Sequence, residues 1–167
     1  MLRSPKRVTL LSSGRDGAEC LNRLVDELRV TPVFTPYLVS RVVTDVCTRV
    51  PGMAGAGRAA RLDRLLRAEA WIDAGLFLIE LELPWWHPRR LIYDDGEWLC
   101  SLSRQPDVPF EFDDTADGQH EVLAVAILLS LLEAKRRLVA TERVGASSVP
   151  QVAPSAAAHT FCCDNFG

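Results

Sequence analysis

The segment 83–103, LPWWHPRRLIYDDGEWLCSLS, decides how this chain is read. It holds Trp85, Trp86 and Trp98, three of the four tryptophans, and the clearest hairpin signal, Asp95-Gly96. Asp-Gly between apolar-rich runs favours a two-residue type I′ turn, because both central residues need positive φ. With the turn there, Tyr93 faces Trp98, Leu91 faces Cys100 and Arg89 faces Leu102. Side-chain alternation then gathers Leu91, Tyr93, Trp98, Cys100 and Leu102 on one face, apolar enough to cover a core. The other face carries Arg90, Ile92, Leu99, Ser101 and Ser103, so it is half wet or meets a partner. A lone hairpin is marginal in water, so helices or a third strand must back it.

Helical patterns lie on both sides. Asp16 with Glu19 suggests a capping box, and Cys20, Leu21, Leu24, Val25 and Leu28 repeat at helical spacing up to Thr31-Pro32. Thr35 and Pro36 open a second helix, with Leu38, Val39, Val42, Val43, Val46, Cys47 and Val50 in doublets until Pro51-Gly52 stops it. Gly52–Gly57 reads as a hinge into a third helix, roughly 58–68. Residues 71–83 fit a helix at first, but Ile79-Glu80-Leu81-Glu82-Leu83 alternates as a strand would. We read a helix, with Glu80 and Glu82 an exposed edge face if the strand forms instead. Residues 105–118 form an acidic loop. The last helix, about 119–139, is nearly all apolar from Val122 to Leu132, and is expected to be the central core helix with Asp117 as its cap.

Composition excludes some classes. The chain has 167 residues, 48% hydrophobic and 25% charged, ordinary for one globular domain. A net charge of −3 argues against a general nucleic-acid binder. Of the nineteen basic residues only Lys6 and Lys135 are lysine, a bias that fits a GC-rich bacterial genome. Val8-Thr9-Leu10-Leu11 is too short for a signal-peptide core, and the run to Leu132 is too short for a membrane span. The five cysteines are odd in number and scattered, so they read as reduced thiols in a cytoplasm.

No catalytic or metal constellation emerges. The Gly52–Gly57 loop with Arg58 and Arg61 could cradle a phosphate, but it matches no phosphate-loop spacing and a helix precedes it. His87 and Cys100 are too far apart in the hairpin register for a base and its nucleophile, by about 13 Å. Asp94, Asp95, Glu97 and the acids from Asp107 to Asp117 lack calcium-loop spacing. Turns and caps explain them better.

Two segments remain as binding candidates. Trp85-Trp86-His87-Pro88-Arg89-Arg90 combines flat aromatics with paired guanidinium groups, the residue types that meet partner proteins or nucleic acid. Against that stands the plainer reading, tryptophans in the core and arginines in water. At the C-terminus Phe161, Cys162, Cys163 and Phe166 follow a small, polar, Pro-bearing spacer, as a docking peptide would. Metal or redox chemistry by His159 and the adjacent cysteines is weaker, since they lack the usual zinc gap.

The sequence therefore predicts an α+β, mostly helical fold. Four to five helices pack around an antiparallel hairpin at about 89–103. A flexible N-terminus (1–15), one globular domain (16–140) and a disordered linker with its terminal peptide (141–167) follow one another. The expected role is a non-enzymatic adaptor or accessory protein that binds another protein, a second copy being one form of it, with no cofactor, metal or membrane. The alternative is a nucleic-acid-binding regulator using Arg58, Arg61, Arg64 and Arg67 with Arg89 and Arg90. A small-ligand binder or enzyme with an unplaced site stands third.

Overall fold

Asp95 and Gly96 adopt φ of 49° and 88°, the doubly positive turn that Asp-Gly favours. The turn joins β1 (His87–Asp94) to β2 (Glu97–Ser103) in the expected register, Tyr93 opposite Trp98 and Leu91 opposite Cys100. Further from the turn the register shifts, so that Pro88 pairs with Leu102 and Arg90 with Ser101. Arg89 is the extra residue of a bulge and does not face Leu102. A bulge re-aims its side chain and interrupts the ladder.

The computed structural model describes residues 14–49 and 56–146. Among them are five α-helices: α1 (Gly14–Arg29), α2 (Pro36–Asp45), α3 (Ala56–Arg67), α4 (Trp71–Glu82) and α5 (Leu123–Ala146). A third strand, β3 (Ala116–His120), completes an antiparallel sheet of order β1-β2-β3. The fold is α+β and mostly helical. Residues 1–13 of the expected N-terminal tail, most of the glycine hinge and the C-terminal peptide fall outside the described residues, while Gly14 and Arg15 are helical.

Helix α5 is the centre. It packs on β3, β2, α1 and α4, and Ile127, Leu128, Leu131 and Leu132 are wholly buried. Leu24 and Leu28 of α1, Val39 and Val42 of α2, and Leu78 and Ile79 of α4 complete the core. Burying side chains of this size contributes about 1.5–3 kcal/mol each. Gly75 of α4 lets that helix come close, since a Cβ there would stand 2.9 Å from Ile127 Cγ2.

Several boundaries differ from the sequence reading. Helix α1 begins at Gly14, so Asp16 lies inside its first turn. Helix α2 ends at Asp45, although Val46 and Cys47 continue its buried face. Thr35 has the extended backbone of a cap but makes no side-chain capping bond. The alternation at 79–83 is helical after all, because this element is buried nearly all round. Residues 116–120 are strand, so α5 starts at Leu123, Asp117 does not cap it, and it runs past 140 to Ala146.

The hairpin face is corrected too. Cys100 and Leu102 face α5 and are buried, but Leu91 and Tyr93 are exposed. Helix α5 covers β2 and β3 and leaves β1 overhanging.

Candidate interaction surface

The segment Trp85–Arg90 does not form one platform. Trp85 is 76% exposed and Trp86 only 4%. Adjacent residues entering a strand point opposite ways, which divides the pair between solvent and core. Trp86 N–H donates to Leu83 O at 2.9 Å, fixing the bend out of α4, and the indole Nε1 has no partner among the described residues. His87 is exposed and pairs with Ser103.

Arg89 is committed elsewhere. The bulge sends its guanidinium to the Asp113 carboxylate, and it also donates to Val108 O at 2.5 Å. The Ser103 hydroxyl, then Arg89, hold Asp113 below the usual carboxylate range. Gln105 N–H donates to Ser103 Oγ at 2.9 Å. These bonds fasten the segment 104–115 over the sheet face opposite α5. Arg90 stacks on the Phe110 ring of that segment, with Cζ 3.8 Å from the centroid.

What remains open is β1 itself. It is an edge strand, and Leu91, Ile92 and Tyr93 are 45%, 41% and 59% exposed in succession. The tight turn makes Asp94 and Glu97 a hydrogen-bonded pair, and alternation makes Ile92 and Leu99 the next. The backbone N–H and C=O groups of Leu91 and Tyr93 therefore point away from β2, and no described residue meets them. Phe112 adds a further ring, 81% exposed. Apolar side chains on an unpaired ladder form a surface suited to another strand.

The polar groups that suggested chemistry have structural duties. Cys100 Sγ lies 3.3 Å from Ser130 Oγ in the core, where burial pushes the thiol up and the Ser130 bond partly offsets it. Asp114 pairs with Arg137, Glu97 accepts from Gln119 Nε2 at 2.6 Å, and Thr115 donates to Asp117 at 3.2 Å. Among the described residues no group of three His, Cys, Asp or Glu is placed to hold a metal. Nor is any described helix long and apolar enough to cross a membrane.

Sequence reasoning missed Glu82. Its side chain is wholly buried and accepts from Thr48 N–H at 3.2 Å, Arg49 N–H at 2.7 Å and Lys135 Nζ at 2.6 Å. Cys47 lies beside it, and burial, then the Glu82 charge, push its thiol up to about 12. The only sequence signal was a helical reading of 71–83 with an acid on the buried side.

The four arginines of α3 are exposed. Arg61 lies 4.5 Å from the Phe77 centroid and Arg67 pairs with Asp63 at 2.5 Å. Arg58 lines a cleft of about 600 Å³ with Arg49, Glu80, Trp86 and His87. A second cleft, about 630 Å³, runs beside β3 among Arg29, Glu97, Asp117, His120 and Glu133. Phe161, Cys162, Cys163 and Phe166 lie outside the described residues. Comparison with protein-family models, curated proteins and solved structures finds no match to this chain.

Proposed function

We propose that this chain is a non-enzymatic protein-interaction module, an adaptor or accessory factor, with β1 as its contact surface. One observation carries the reading. An edge strand presents three successive exposed apolar residues, Leu91, Ile92 and Tyr93, beside backbone groups that no described residue pairs. Natural edge strands are usually blunted by charge, bulge or cover; here Pro88 and the Arg89 bulge guard only the far half. Trp85, two residues before β1, and Phe112, next to Asp113, are exposed rings of the type that anchors interfaces. We place the protein in the cytoplasm, a reading supported by free thiols at Cys20, Cys47 and Cys100.

The test is capture of partners by the full-length chain, by Tyr93→Asp and Trp85→Ala variants, and by a chain lacking residues 145–167. The reading expects the surface variants to lose a partner that the parent retains, with the fold unchanged by circular dichroism. Identical partner sets from parent and both surface variants would refute it. Loss on tail deletion alone would move the contact to Phe161–Phe166.

A nucleic-acid reading keeps one supporting observation, the exposure of Arg58, Arg61, Arg64 and Arg67 along α3. It requires retention on DNA or RNA at low salt that weakens steeply as salt rises.

A further inference from the structure

Resting on that reading of β1, we infer that the strand's occupant is a second copy of this chain. Two β1 strands pair antiparallel about a two-fold axis at Ile92 and join two three-stranded sheets into one of six.

The geometry of the free edge sets the register. Pro88 has no N–H to offer, the bulge at Arg89 breaks the ladder, and the turn begins at Asp95. The regular, unguarded stretch is therefore 90–94, RLIYD, and its midpoint is Ile92. Paired with itself about that midpoint, it places Ile92 opposite Ile92, Leu91 opposite Tyr93 and Arg90 opposite Asp94. Leu91 and Tyr93 are the residues whose backbone groups point outward, so each Leu91–Tyr93 pair closes with two N–H···O=C bonds.

Charge selects the same arrangement. The strand is basic where it begins, at Arg89 and Arg90, and acidic where it ends, at Asp94 and Asp95. Antiparallel pairing sets each basic end against the other copy's acidic end, whereas a parallel pair would oppose like charges. Arg90 and Asp94 have no ion pair among the described residues of their own chain. They cannot meet there, since four residues along one strand separate them by about 13 Å. Arg90 Cζ lies over the Phe110 ring and none of its N–H groups donates to a described residue, which leaves them free for a carboxylate. Asp94 faces Glu97 across the hairpin, a like-charge pair that a guanidinium from the second copy relieves. Ile92 and the two charged residues share the sheet face that bears Leu99 and Ser101, so the contact is self-complementary, as a two-fold interface requires.

The experiment is sedimentation equilibrium on the full-length chain and three charge variants, Arg90→Asp, Asp94→Arg and the two combined. The parent should dimerise. Each single change should weaken the dimer about tenfold or more, because symmetry counts it twice, and the combined exchange should restore it. An Ile92→Cys chain keeps every charge and serves if the charge variants do not fold. Mild oxidation should link position 92 to itself, read by mass spectrometry of the joined peptide, since non-hydrogen-bonded antiparallel neighbours lie within disulfide range. A parent that stays monomeric at the highest soluble concentration overturns the inference. So does a dimer indifferent to the single charge changes, or one lost only when residues 145–167 are removed. If the chain is monomeric yet Tyr93→Asp still abolishes capture of another protein, self-pairing alone is wrong and the interaction reading stands.

Discussion

Gly118 of β3 lies directly beneath Ala126 of α5. A Cβ added at Gly118 would overlap the Ala126 carbonyl oxygen and the Ser130 amide nitrogen, and would come within 2.9 Å of Leu129 Cβ. Backbone cannot swing aside as a flexible side chain does, so helix and strand would have to part. Because α5 also packs on β2, α1 and α4, the damage would spread. Gly118→Ala should cost about 3 kcal/mol, the upper range for overpacking a core. Gly17→Ala, where the added methyl meets nothing within 4 Å, is the control and should be neutral or stabilising. Urea denaturation of the three chains measures both, and a Gly118→Ala midpoint equal to the parent's would show that α5 does not press on the strand.

Glu82 and Lys135 form the one buried ion pair that ties the end of α4 to the middle of α5, among the described residues. Glu82 also receives the amides of Thr48 and Arg49, so among the described residues its carboxylate settles three donors at once. Removing it strands an ammonium and two N–H groups. Glu82→Ala should destabilise by about 3–5 kcal/mol, as breaking a buried pair usually does. Lys135→Met should cost less, because the carboxylate keeps its amide partners. Thermal unfolding of both variants decides the order, and equal losses would mean that the ammonium, not the cap, is what Glu82 serves.

These two sites mark where the sequence stopped being legible. The hairpin was readable because Asp95-Gly96 states its own backbone angles, and α5 was readable as the core helix because Val122–Leu132 has almost no polar side. Strand β3 was not. Its residues, ADGQH, lack β-branched and aromatic side chains, and the closeness of α5 demands glycine at 118. Tertiary packing chose residues that local propensity ranks low. Glu82 was opaque for a related reason. Its partner is 53 residues away, and nothing near it in sequence announces burial. The exposure of Leu91 and Tyr93 followed from where α5 ends across the sheet, which alternation along a strand does not encode. Trp85 and Trp86 were legible as a pair of candidates, but not which one faces water.

The Asp113 bonds predict a pH-dependent strap. Its carboxylate is held below the usual range by Ser103 and Arg89, so the native state favours the ionised form. The stability it contributes is present at neutral pH and is lost as pH falls below the ordinary carboxylate range. Asp113→Asn should release Arg89 and loosen residues 104–115 while leaving the core intact. Hydrogen exchange at Gln105, whose amide rests on Ser103, should quicken in the variant at neutral pH and converge with the parent in acid. Unchanged protection at neutral pH would mean that Phe110 and Val108 hold the segment without the ion pair.

Cys47 predicts the behaviour at the other end of the scale. Burial, reinforced by the neighbouring Glu82 charge, raises its thiol from 9.0 to about 12. The folded chain thus keeps a proton that the unfolded chain gives up. Stability from this group is complete below 9 and is lost as pH climbs toward 12, at about 1.4 kcal/mol per unit for one proton. Cys100 acts in the same direction, since its thiol is raised as well. Denaturation of the parent and of Cys47→Ala at pH 8 and pH 10 isolates the Cys47 share, because other groups cancel in the difference. The parent should lose more stability between the two than the variant does. The same protonation makes both buried thiols poor nucleophiles at neutral pH, so limited alkylation read by peptide mapping should modify Cys20, which is partly exposed, before Cys47 or Cys100. Early labelling of Cys47 would mean that the junction of α2 with Glu82 opens readily, and the high-pH slope should then vanish with it.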